Sequence, residues 1–173
     1  MEQHQIASLE KAKTGASKGL PLEVFHLISS LTPLINVDLL VQDTQGRTLL
    51  TWRHDDFYGP GWHVPGGIIR FKERWEDRIA AVAAAELGAT VTFAQEPISI
   101  QQTVNPTRDV RGHFISMLFA CQLSSAPDPK HQWVRDAPRN GDWAWHKGCP
   151  ADIISVHEMY RRAIDTRPVA IAA

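Results

Sequence analysis

The 173 residues carry eighteen Lys and Arg against nineteen Asp and Glu, for a net charge of -1. That balance excludes a broad basic field, so no dedicated nucleic-acid surface is expected. An apolar share of 43% supplies one core without cross-links, and two cysteines, Cys121 and Cys149, exclude a disulfide scaffold. No apolar run approaches the roughly 20 residues that cross a bilayer. The polar N-terminus has no apolar core of the signal-peptide kind. The reading is of a cytoplasmic protein without membrane contact: a flexible segment at 1–19, then a single domain at 20–173.

In chain order, PLEVFHLISS predicts a helix, with Val24, Leu27, Ile28 and Leu31 on one face, Phe25 at its edge and Pro33 closing it. LINVDLLVQD and RTLLTWR predict a hairpin turned by DTQG. Asp38 is the odd residue of that first strand. A carboxylate among apolar neighbours is costly unless it is paired or faces either a polar pocket or the open side of the sheet. DDFYGPGWHVPGGIIRFKE reads as a loop whose glycines let backbone approach something closely. Glu73 to Leu87 predicts one helix ended by Gly88, with its alanines leaving a slim face for a sheet. Strands follow at 90–94, 97–104, 113–123 and 142–146, and ADIISVHEMYRRAID closes the chain as a helix. Antiparallel strands with one central helix predict an α+β fold, a mixed β-sheet sandwiched between α-helices.

The segment GPGWHVPGGIIRFKERWEDRIAAVAAAELGA resembles the Nudix hydrolase signature. Gly67, Glu73, Glu86 and Gly88 match it, while the family arginine falls on Ala81 and two of its glutamates fall on Val82 and Ala85. Within that superfamily the chain looks most like the GDP-mannose mannosyl hydrolases, whose motif also lacks two glutamates. The likeness rests on Asp38, Arg53, the Pro65-Gly66-Gly67 turn, Glu73, the run from Ala85 to Gly88, and His113.

The resemblance implies the Nudix fold, a homodimer and hydrolysis of a nucleoside diphosphate sugar by attack at the sugar C1. It also implies one Mg2+ held by the Gly66 carbonyl and the Glu86 carboxylate. Glu73, Glu86 and His113 are its catalytic candidates, and Asp38, Arg53 and Arg70 its substrate-binding ones. A family arginine after the double glycine is Ile68 here. A metal-contacting glutamine and a base histidine fall on Arg139 and Asn140, with His131 and His146 nearby.

Residue chemistry adds limits. A guanidinium matches diphosphate oxygens through its fork of donors, which favours Arg53. Arg70 lies two residues beyond Ile68 and shares its face if the segment is extended. Glu73 suits the positive end of a helix, and its expected role is to order the loop. His113, at the start of an apolar strand, reads as a structural histidine or as a proton carrier. Trp52, Trp62 and Trp75 are expected around the cleft, and Trp133, Trp143 and Trp145 around the distal loop. Arg78 stands one turn before Val82, so arginines with one ion suit a diphosphate better than several ions do. Two other readings stand beside the hydrolase: a non-catalytic Nudix domain that binds a nucleotide, and a Nudix pyrophosphohydrolase with another substrate.

Overall fold

The computed structural model describes residues 15–166, so most of the segment expected to be flexible at 1–19 lies outside the described residues. Its elements are α1 (Leu22–Leu31), β1 (Leu34–Gln42), β2 (Thr48–Arg53), β3 (Gly61–His63), β4 (Gly66–Ile68), α2 (Trp75–Val82), β5 (Val91–Phe93), β6 (Ser99–Val104), β7 (His113–Leu123), β8 (Trp143–His146) and α3 (Arg161–Asp165). A π-helical turn, Ala83–Leu87, continues α2, and 3-10 turns lie at Pro129–His131 and Ser155–Tyr160.

Eight strands form one mixed sheet whose backbone runs β3-β2-β1-β7-β5. β1 and β7 pair in parallel from Leu34↔Phe114 to Val41↔Cys121, and the other pairings are antiparallel. Three strands each hold two neighbours along one edge: β1 takes β4 and then β2, β7 takes β6 and β5, and β2 takes β1 and then β3, with β8 along its other edge.

The alternation of β1 divides the core. Val37, Leu39 and Val41 face α2, where Ile79, Val82, Ala83 and Leu87 cover them. Leu40 faces the other way, into Leu50, Trp62, Val64, Ile153, Tyr160 and Ile164. Leu39, Leu40, Leu49 and Leu50 are fully buried, each worth about 1.5–3 kcal/mol of removed apolar surface. The sheet is therefore sandwiched between helical layers, as the sequence predicts.

Several local expectations need correction. The central helix begins at Trp75, with Glu73 in the preceding turn, and its last five residues widen into the π turn before Gly88 ends it at φ 60. Of its alanines only Ala83 is in the core; Ala80, Ala81, Ala84 and Ala85 are exposed, because the packing stripe is Ile79, Val82, Ala83 and Leu87. In α1 the supposed apolar face is not the covered one: Leu27 and Leu31 are exposed while Ser29 is buried. The glycine-rich stretch contains β3 and β4, since residues such as Trp62 and Val64 need core positions that only extended backbone reaches. The terminal helix is a 3-10 turn followed by the five-residue α3.

Candidate functional site

A cavity of about 430 Å³ opens where β4 and β2 share the edge of β1. Asp38, Arg53, Gly66 and Glu86 line it, so the fold gathers four of the sequence candidates. Glu73, Arg70 and His113 do not line it.

Gly66 explains the geometry. Opposite Asp38 in the antiparallel ladder, it forms a pair without mutual hydrogen bonds, because the Leu39 N–H donates to the Pro65 carbonyl at 2.8 Å. Gly66 therefore turns both its amide and its carbonyl away from β1. The amide donates to Glu86 Oε1 at 3.1 Å. A side chain at position 66 would collide with the Asp38 carboxylate, so glycine is required by close approach and not by its dihedral angle.

Glu86 reaches the site from the π turn. Its Oε2 accepts from the Thr51 hydroxyl at 3.0 Å and lies 3.3 Å from His63 Nε2. His63 Nδ1 sits 2.8 Å from the Thr51 carbonyl; a nitrogen facing a carbonyl donates to it. Asp38 is 1% exposed. It accepts from Tyr160 at 2.6 Å and from Asn36 at 2.7 Å. Burial pushes its carboxyl up to about 7, opposed by the Tyr160 hydrogen bond and by His63. The open-face reading of Asp38 thus gives way to a paired, buried carboxyl.

His157, also on the cavity, is buried and accepts the Val64 N–H at 3.0 Å through Nδ1. Burial holds its imidazole well below the usual range, so it is neutral. Arg53 ends β2 with its guanidinium over the Tyr58 ring and its Nε on Asp55 at 2.5 Å.

Most of the remaining candidates lie elsewhere. Glu73 accepts from the Arg70 amide at 2.8 Å and clasps Arg78 through three hydrogen bonds of 2.7–2.9 Å. Against the effect of its burial, those donors hold its carboxyl below the usual range. Arg78 is 8% exposed and committed to this clasp, so the expected phosphate-facing arginine on that helix face is not available. The Arg70 side chain is exposed. His113 pairs with Gln102 at 2.9 Å on the sheet surface. Asn140 lines the cavity but accepts from the His54 amide at 3.0 Å. His131 lines the cavity, whereas His146 packs against Trp62.

Of the three tryptophans expected at the cleft, only Trp52 lines it. Trp62 is 4% exposed and edge-packed on Trp52 and Trp133. Trp75 is exposed, with its ring tilted at 46° to that of Phe119. Sequence reading missed Thr51, His63, Arg111 and His157. A hint existed for His63, which sits two residues before the Pro65-Gly66-Gly67 turn and so shares its register.

Among the described residues, no three His, Cys, Asp or Glu side chains converge as a metal-ligand set. What the chain offers a hard cation is the Glu86 carboxylate beside the ladder-free Gly66 carbonyl. Two oxygen donors fit Mg2+ when a diphosphate and water complete the roughly octahedral shell.

No protein-family model matches the chain. The low-salt glycan biosynthesis protein Agl8 of Haloferax volcanii is 30% identical over 108 residues, which span 60% of this chain and 68% of that protein. The MutT NUDIX hydrolase of Burkholderia pseudomallei superposes with a TM-score of 0.59 at 17% identity, covering 76% of this chain and 97% of that one. The MutT protein of Methanosarcina mazei gives 0.57 at 15% identity over 78% and 94%. A NUDIX hydrolase of Nitrosomonas europaea gives 0.55 at 19% identity over 78% and 71%. Among the described residues, no helix is long and apolar enough to cross a membrane.

Proposed function

The chain belongs to the family of the Haloferax volcanii protein Agl8 and has the fold of the Nudix hydrolase superfamily; from this premise we propose that it is a Mg2+-dependent hydrolase of a nucleoside diphosphate sugar. The GDP-mannose mannosyl hydrolases serve as the pattern. One observation carries the reading: Glu86, the outward Gly66 carbonyl, Arg53 and the buried Asp38 share one cavity. The carboxylates that fuller Nudix sites place at positions 82 and 85 are here Val82 and Ala85, which favours attack on sugar carbon over attack on phosphorus. The relative named for glycan biosynthesis is in keeping with a sugar-bearing substrate.

In this reading Glu86 and Gly66 hold the ion, and Arg53 holds diphosphate oxygens through its fork of donors. Bound Mg2+ supplies neutralisation of the leaving diphosphate. Asp38, buried and fixed by Tyr160 and Asn36, shapes the floor of the cavity on which the sugar rests. Glu73 keeps the turn after β4 in place through Arg70 and Arg78. The His113 and Arg70 side chains lie outside the cavity and take no part in this reading. Water oxygen bonds to C1, the C1–O bond breaks with its electron pair leaving on the diphosphate, and the proton lost by the water passes through solvent to the departing diphosphate. The chain works as a cytoplasmic homodimer joined through the uncovered leucines of α1.

A panel of nucleoside diphosphate sugars, assayed with Mg2+ in oxygen-18 water, tests the reading. Label is expected in the released sugar. Label in phosphate supports the pyrophosphohydrolase instead, and tight nucleotide binding without turnover supports the non-catalytic domain.

A further inference from the structure

The loop between β6 and β7 brings a second guanidinium to the same cavity. Arg111 lines it with Arg53 and stands over the Phe57 ring at 4.6 Å, with the Phe25 ring at 5.8 Å. Its backbone amide donates to Ser29 Oγ at 3.1 Å, which ties the loop to α1. Its φ is 53°, a left-handed value uncommon for a residue with a Cβ. The Arg111 Nε is buried and has no hydrogen-bond partner among the described residues.

Charge around it is unbalanced. Arg53 and Arg108 flank the Tyr58 ring at 4.8 and 4.5 Å. Asp55 is the carboxylate within this group. It already pairs with Arg53 and accepts the Phe57 and Tyr58 amides. Among the described residues, no carboxylate forms an ion pair with Arg108 or Arg111. Burial and the nearby Arg53 both disfavour the charged form of Arg111. Aromatic faces return part of that cost; a half-buried guanidinium with an unmet donor still lacks an acceptor.

We propose that Arg111 and Arg53 together form a phosphoryl subsite at this cavity, gripping the diphosphate of the substrate from the Tyr58 side. The proposal rests on the diphosphate reading above and adds a residue that the signature does not contain. Two guanidiniums give a diphosphate two forks of donors. Ile68 and Ala81 stand where the GDP-mannose mannosyl hydrolases that the chain resembles carry arginines, so the β6–β7 loop restores charge from a different part of the chain.

The test uses the full chain in EDTA with pyrophosphate as probe and with GDP and UDP as further arms. Calorimetry is expected to show about tenfold weaker pyrophosphate binding for Arg111→Gln, with Arg111→Lys in between. In the wild type, the Arg111 15Nε–H resonance is expected to shift on titration. Equal affinities for wild type and Arg111→Gln, or an Nε resonance unmoved at saturation, overturn the subsite. If Arg111→Gln fails to fold, the wild-type resonance decides alone. A subsite that binds pyrophosphate in a protein that hydrolyses no nucleotide sugar leaves this inference standing and removes the reading on which it was built.

Discussion

The Tyr160 hydroxyl donates to the Asp38 carboxylate at 2.6 Å, joining the last 3-10 turn to the first strand beneath the cavity. Both groups are almost completely buried, so neither has water as an alternative partner. Tyr160→Phe is expected to destabilise the fold by about 1–3 kcal/mol, the cost of a buried polar group that loses its partner. Urea unfolding at neutral pH measures it. An unchanged midpoint would show that Asn36 alone satisfies the carboxyl.

Glu73→Gln removes the charge opposite Arg78, whose side chain is 10% exposed. Hydrogen bonds to charged groups contribute about 1.5–3 kcal/mol, and a loss of that order with a lower Tm is expected. The folded-state carboxyl lies below its ordinary range. Its stabilisation is therefore complete above the unfolded pKa of 4.5 and fades as pH falls through the folded value. The variant should lose that part of the wild-type acid sensitivity.

Glu86→Gln keeps the shape: its amide oxygen can still accept from the Gly66 N–H and its NH2 can donate to the Thr51 hydroxyl, which turns to accept, but it lacks the charge that meets a cation. The fold should remain, with a near-native Tm. Mg2+ affinity measured by calorimetry in the presence of pyrophosphate should fall about tenfold or more, at least the effect of losing an outer-shell partner. Unchanged binding would place the ion elsewhere.

His157 gives a pH dependence with a definite sign. Its folded pKa is depressed, chiefly by burial and then by His63 and Arg53. Stability from keeping it neutral is therefore present above the unfolded pKa of about 6.5 and lost as pH falls. Asp38 works the other way: its folded pKa, raised to about 7, favours the fold at low pH and loses that contribution as pH rises toward 7. Comparing wild type with His157→Gln cancels the Asp38 contribution. The variant should lose less stability than wild type between pH 7 and pH 5 in denaturant titrations.

Leu22, Leu27 and Leu31 are 63%, 43% and 73% exposed on α1, a patch suited to a twofold contact. Sedimentation equilibrium is expected to give a dimer for the wild type and a monomer for the triple Gln variant. A monomeric wild type would rule out that contact.

Strands were readable because apolar runs at β1, β2 and β7 end in turn residues, and because local patterning suffices to mark them. β4 was not readable: its two glycines carry no β propensity, and its pairing partner, β1, is distant in sequence. The Gly66 and Glu86 pair came only from the resemblance to the Nudix signature, and the ladder register shows why the glycine carbonyl is free. Arg111 and His157 left no local signal. Each reaches the cavity only through neighbours brought up by tertiary contacts, Phe57 and Arg53 for one, Val64 and His63 for the other. The Glu73 clasp was half visible, since a helix-start carboxylate was expected but its hold on Arg78 was not.

The parallel pairing of β1 with β7 bears on how the protein is made. Leu34–Val41 leaves the ribosome long before Phe114–Cys121, which it needs along one edge. Until then an apolar strand with unpaired amides waits for its neighbour, the situation in which intermolecular pairing competes with folding. Nascent chains arrested before residue 113 should therefore aggregate or recruit chaperones, whereas chains extended beyond residue 123 can complete the pairing of β1 with β7. Folding of the complete chain should be slow for its size, since long-range pairing must precede the core that rewards it.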